Sequence, residues 1–194
     1  MPKQTDEFYI QALIIAEVVK RILLKRGKIK LSSKPVITLK PITEFIKRMR
    51  IVGLEKFDEK TFISTINFYL NEKDEEAGKA IGAIILYVAE SYIGTLLRTL
   101  GYPDVEEDDT DLIEDAVGTL CNLIAGSFKT GLRQLDYKDL IMSHFTSFEN
   151  EVLNGVAYNP TQKNLYEIIF EIGGKKSLVV DLTMAPLPKY DFKS

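Results

Sequence analysis

The residues best placed to do chemistry in this 194-residue chain lie between positions 111 and 135. At 100° per residue the segment carries an apolar seam of Ile113, Val117, Leu120, Ile124, Phe128 and Leu135, widened by Leu112, Ala116, Leu123 and Leu132. That is the pattern of a helix facing a sheet. On its other side, spacing of three and four brings Asp115, Thr119, Asn122, Gly126, Lys129 and Arg133 into one polar stripe. A glycine inside a helix costs about 1 kcal/mol relative to alanine. Gly118 and Gly126 therefore imply a close approach to the helix backbone, by a neighbouring helix or by a docked partner.

Composition closes most other chemistries. The single cysteine, Cys121, excludes an intramolecular disulfide and a cysteine-built zinc site. The single histidine, His144, excludes His-pair metal ligation and leaves Cys121 and His144 alone to form any nucleophile and base. Cys121 turns about 100° from Asn122 and reads as a packed thiol, and His144 as a structural residue in a strand. The acidic run EEDDTD at 106–111 raises a divalent metal, but it lacks the glycine and closing glutamate of an EF-hand loop. Acids before a helix more simply cap its free N–H groups and suit its dipole. A net charge of -3 offers no field to hold a polyanion, so no nucleic-acid partner is expected. The basic EFIKRMR stretch has no interleaved aromatics and reads as a solvated face. No phosphate loop of the Walker or dinucleotide type is present.

The elements that must position the stripe follow from periodicity. Thr5 as N-cap and Gly27 as stop predict a helix over 6–26. Gln11, Glu17, Lys20 and Arg21 interrupt its apolar run too often for a membrane span. The acids of MPKQTDE do not suit a signal peptide. The expectation is a buried amphipathic helix in a cytoplasmic protein with no membrane partner. Residues 28–49 read as an extended connector with a short strand near Val36–Leu39. From Arg50 the period becomes two, and IVGLEKF, the turn FDEK and FISTINFYL predict a hairpin. Asp74 as N-cap and GYP at 101–103 bracket a helix over 75–100. It and the helix over 111–134 would each be roughly 40 Å long, against a radius of gyration of about 16 Å, so both should cross the molecule side by side. LIMSHFTSF (140–148) predicts a strand and GVAYNP a loop. LYEIIFEI and SLVVDLTM then pair across GGKK, with Tyr166, Ile168, Phe170 and Ile172 answered by Leu178, Val180, Leu182 and Met184. The expected class is α+β, an α/β sandwich whose mostly antiparallel sheet is flanked by two long helices plus an N-terminal helix. One domain over 1–194 is expected, with its core at 50–184 and a tail at 185–194.

The run DLIEDAVGTLCNLIAGSFKTGL resembles the signature helix of the CheX branch of the CheC/CheX/FliY chemotaxis phosphatases, D-A-V-G-E-L-x-N-M-I-A-G-x-x-K. Identities fall on Asp115, Ala116, Val117, Gly118, Leu120, Asn122, Ile124, Ala125, Gly126 and Lys129. The resemblance implies a sheet flanked by long helices and a partner, a phosphorylated CheY-like response regulator, whose aspartyl-phosphate is hydrolysed. It assigns to Asn122 the orientation of the attacking water, and to Asp115, Thr119, Gly126 and Lys129 the contact with the partner. A carboxamide donates and accepts at once, which suits a reaction that needs positioning more than covalent help. No cofactor belongs to this chain; the magnesium would sit on the regulator.

Two departures accompany the match. The family pairs its Asn with a Glu three positions earlier, and here that position is Thr119. Its Pro about twenty-two residues after the Asn falls at Phe145. Asp115 lies two turns from Asn122, about 10 Å along the axis, and does not directly replace the Glu. Two readings therefore stand: a regulator phosphatase acting through Asn122, and a weak or inactive interaction module of the same fold. A homodimer is also implied, with residues 10–24 or IGAIILYVAESYIGTLL as interface or as core.

Overall fold

The computed structural model describes residues 6–103, 109–149 and 152–191. Helix α1 spans Glu7–Gly27, followed by strands β1 (Val36–Pro41), β2 (Glu44–Phe45), β3 (Arg48–Val52) and β4 (Thr61–Tyr69). A short α2 (Glu72–Glu76) leads into β5 (Gly82–Ala89), α3 (Glu90–Leu100) and α4 (Thr110–Arg133). The chain closes with β6 (Ile141–Met142), β7 (Thr146–Glu149), β8 (Val152–Val156), β9 (Asn164–Ile172) and β10 (Lys175–Met184).

All strand pairs are antiparallel. The main sheet runs β1-β9-β10-β5-β4-β6, with β7 also on β4, and a small sheet runs β2-β3-β8. Alternation along the central strands divides the interior in two. Phe62, Ile66, Leu86, Val88, Ile168, Phe170 and Val180 face the helices, where they meet Ile15, Val19, Leu96, Leu120, Ile124 and Phe128. Ile63, Ile85, Tyr87 and Val179 face the other way, against Met49, Ile51 and Val156 of the small sheet. The class is the expected α+β sandwich with an antiparallel sheet.

Four expectations are corrected. Residues 75–100 form α2, β5 and α3 rather than one long helix. The run GAIILYVA is buried at every position because both faces of β5 are covered, and a short continuous apolar run has no period to separate strand from helix. The long helices that cross the molecule together are therefore α1 and α4; a Cβ on Gly131 would lie 2.8 Å from Ile14 of α1. The proposed pairing of IVGLEKF with FISTINFYL does not occur: β3 pairs with β8, and β4 with β5. The strand over 140–148 is broken at Ser143–Phe145 into β6 and β7, with exposed His144 in the break rather than in a strand. GVAYNP is a loop only after Val156, since Gly155 and Val156 belong to β8.

Local signals held where they were short-range. Strand β1 covers the expected Val36–Leu39, while EFIKRMR folds as the β2–β3 hairpin. The β9–β10 hairpin pairs Phe170 with Leu178, Ile168 with Val180 and Tyr166 with Leu182. Its turn residues Gly173 and Gly174 have φ of 59° and 76°, which L-residues avoid. Helix α1 is capped by Asp6, whose carboxylate accepts from the Phe8 N–H, and Thr5 lies outside the described residues.

Candidate functional site

Helix α4 starts where the Asp109 carboxylate accepts the Leu112 N–H at 3.2 Å. The rest of the acidic run, through residue 108, lies outside the described residues. Ile113, Ala116, Val117, Leu120, Ile124, Phe128 and Leu132 are buried against the sheet and the neighbouring helices, as the seam predicted, with Ala125 buried beside them and Leu112 and Leu123 half-buried. Leu135 is instead 41% exposed and follows the helix. Burying such a face stabilises by roughly 1.5–3 kcal/mol per large side chain, so the outer stripe rides on a rigid support.

On that stripe Asp115 and Asn122 are exposed, and Thr119, Gly126 and Lys129 are half-buried. The Asn122 carboxamide makes no hydrogen bond to the described residues. Its neighbours one turn away, Gly118 and Gly126, both lack a side chain, but for different reasons. A Cβ on Gly118 would overlap the Phe145 ring, which the break between β6 and β7 folds onto the helix. A Cβ on Gly126 would meet nothing within 4 Å. Neither expected occupant stands at Gly118: the approach is intramolecular and comes from a loop. Gly126 thus leaves free space over the helix beside Asn122, while its carbonyl accepts the Thr130 hydroxyl at 3.0 Å.

Two contacts that spacing did not foresee organise the ends of the stripe. Tyr102, just after the Gly101 cap of α3, donates its hydroxyl to Asp115 Oδ2 at 2.6 Å and lies 3.2 Å from Thr119 Oγ1. Burial and the Asp115 carboxylate both raise the Tyr102 phenol above its ordinary value, so it stays a proton donor. Lys129 pairs with Asp139 at 3.4 Å. Tyr102, thirteen residues before Asp115, and Phe145, in the break between β6 and β7, reach α4 from outside it, and the helix's own periodicity carries no signal for either. Cys121 is fully buried, with Sγ 3.7 Å from the Ser64 carbonyl, and burial pushes its thiol up to about 12. It is a packing residue.

Among the described residues no three His, Cys, Asp or Glu side chains gather to hold a metal ion. One acid beside a threonine, an amide and a glycine is a poor donor set for magnesium. Nor is any helix among them long and apolar enough to cross a membrane.

A second polar cluster lies behind the sheet. Lys56 Nζ stands 2.6 Å from Glu167 Oε2 and 2.9 Å from Asp181 Oδ2, and 4.8 Å over the Tyr87 ring, whose hydroxyl donates to Asp181 Oδ2 at 2.9 Å. Burial alone would lower the Lys56 ammonium, but Asp181 and Glu167 outweigh it and hold the group above its ordinary value. Burial and the adjoining Asp181 put the Tyr87 phenol well above its own.

No family model matches the sequence, and no curated protein matches it. Solved structures do match the fold. A CheX chemotaxis protein from Desulfovibrio desulfuricans aligns at TM-score 0.58 and 15% identity, covering 90% of this chain and 99% of that one. A chemotaxis protein from Desulfovibrio vulgaris Hildenborough aligns at TM-score 0.57 and 16% identity, over 90% and 96%. A structure of a CheX–CheY complex with BeF3 and Mg from Borrelia burgdorferi matches at TM-score 0.50 and 12% identity, over 93% of this chain and 99% of the matched chain. An antiparallel α+β sandwich carrying a long amphipathic helix with a polar outer stripe is thus the class defined here. Within that class the chain has the fold of the CheX, CheC-like and FliY chemotaxis proteins.

Proposed function

We propose that the protein is a CheX-like member of this group that binds a phosphorylated CheY-like regulator and promotes hydrolysis of its aspartyl-phosphate, with Asn122 orienting the water. The observation that supports this most is the state of Asn122. It is an exposed amide without a hydrogen-bond partner among the described residues, on a helix whose opposite face is buried, next to free space at Gly126. An amide with donor and acceptor both free can hold a water against a phosphorus centre at the cost of little reorganisation. Magnesium, neutralising charge on the phosphoryl oxygens, would belong to the regulator.

The alternative, a binding module without hydrolysis, is favoured by one observation. Thr119 stands where the resembling family has its Glu, and its hydroxyl is engaged by Tyr102. The decay of phosphate on regulators from the same genome, with catalytic amounts of this protein, separates the two. Faster decay that disappears in Asn122→Ala with an unchanged melting temperature supports hydrolysis. Phosphorylation-dependent binding without any change in decay supports the module. A homodimer, if formed, has α1 available: Ile10, Leu13 and Leu24 are exposed on its outer side, whereas IGAIILYVAESYIGTLL is largely core.

A further inference from the structure

Four polar residues interrupt the apolar run of α1, and three of them are exposed and paired: Glu17 meets Lys20 at 3.5 Å and Arg21 at 3.0 Å. The fourth, Gln11, is 1% exposed, and neither its Oε1 nor its Nε2 has a hydrogen-bond partner among the described residues. A buried amide left unpaired costs the fold its desolvation with nothing in return. Gln11 lines a cavity of about 340 Å³ at the N-terminal end of α1, walled by Phe8, Leu39, Leu182 and Met184. Exposed Lys163 and Asn164 also line it, and no residue of α4 does. The acid of the wall is engaged: Asp6 accepts the Phe8 N–H at 3.1 Å and the Tyr166 hydroxyl at 2.9 Å. Thr183 has an unpartnered hydroxyl too, but it alternates with Leu182 and Met184 and so turns to the other face of the sheet.

We propose that this cavity binds a small neutral molecule presenting a hydrogen-bond donor beside an acceptor on one edge, the amide edge of a nucleobase or of a free carboxamide, and that Gln11 reads that edge. A glutamine side chain offers its oxygen and an N–H side by side in one plane. A single ligand edge of the opposite order satisfies both, as when glutamine pairs with the edge of adenine. The volume stands at the small end of ligand sites, which suits a single base rather than a nucleotide. The apolar walls favour an uncharged ligand, because a charge among them would be desolvated without an opposite partner. The site is built from α1 and from β1, β9 and β10 with the loop before β9, so it stands independently of regulator docking by α4.

The test reads the melting temperature and calorimetric affinity of the full chain with uracil, adenine and glutamine as probes, and with uracil methylated at both ring nitrogens as the control that has lost its donors. A bound probe at ten times its Kd should raise the wild-type melting temperature by about 3–6 °C, and the methylated control should leave it unchanged. Gln11→Met keeps the length of the side chain and removes both polar groups. It should melt no lower than wild type and lose about tenfold or more in affinity. Leu39→Trp fills the cavity from the edge strand β1 with Gln11 intact, and should fold as wild type while binding no probe. Binding of a base assigns the ligand to free nucleobases and binding of glutamine alone to free amino acids; both uphold the site. No response to any probe would overturn it, as would wild-type affinity in Gln11→Met or in Leu39→Trp. A Gln11→Met that melts well below wild type would show the carboxamide already satisfied in the free protein, by an ordered water, and would also overturn the proposal.

Discussion

The outer face of α4 and the cluster around Lys56 are both polar, and they differ in what satisfies them. Behind the sheet, Lys56, Glu167, Asp181 and Tyr87 bond to one another, with Asp181 and Tyr87 almost wholly buried. On α4, Asn122 presents an amide without a hydrogen-bond partner among the described residues, beside Gly126, where a Cβ would meet nothing within 4 Å. A closed network in low dielectric tolerates no loss of a member. An exposed amide costs the fold nothing and is free to act on something else. Polar groups therefore hold the structure together in one region and are left free in the other.

Substitutions sharpen that contrast. Lys56→Met leaves Asp181 a buried charge without its cation and Glu167 with only Lys40 at 3.9 Å, and should cost about 3–5 kcal/mol in urea unfolding; a loss under about 1 kcal/mol would break the comparison. Lys56 and Tyr87 both hold their protons more tightly in the folded than in the unfolded protein. Their contribution is complete below about pH 10 and is lost as pH rises through the folded values, so the urea midpoint should fall in that alkaline range.

Gly118→Ala drives a Cβ into the Phe145 ring. Overpacking of about 1–3 kcal/mol exceeds the helical gain of about 1 kcal/mol, for a net loss near 1 kcal/mol. In a Phe145→Ala background the same change should stabilise, and a double-mutant cycle in thermal unfolding reads the reversal. The smallest effect carries the opposite sign. Gly126→Ala meets nothing and should stabilise by up to about 1 kcal/mol, while weakening regulator affinity if a partner packs on that backbone. Stability and affinity that rise together would return Gly126 to an ordinary surface position.

Much of this layout was legible from residue order. The α4 seam and stripe, the β9–β10 hairpin and the stop at Gly101 depend on neighbours within a turn or a two-residue loop, where period and backbone freedom dominate. The misreadings share one cause. GAIILYVA is apolar throughout because helices cover one face of β5 and the small sheet covers the other. Likewise, β3 turns from β4 to β8 because its pairing is set by a segment about one hundred residues away.

The sequence by itself determined which residues share the outer face of α4: Asp115, Thr119, Asn122, Gly126 and Lys129 follow from 3.6 residues per turn and nothing else. Tertiary structure decided what each of them meets. Tyr102 closes on Asp115 and Thr119, Phe145 fills the space at Gly118, and Gly126 is left open. These contacts join parts of the chain whose separation no local period encodes, and they arise only once the sheet and its two layers have packed.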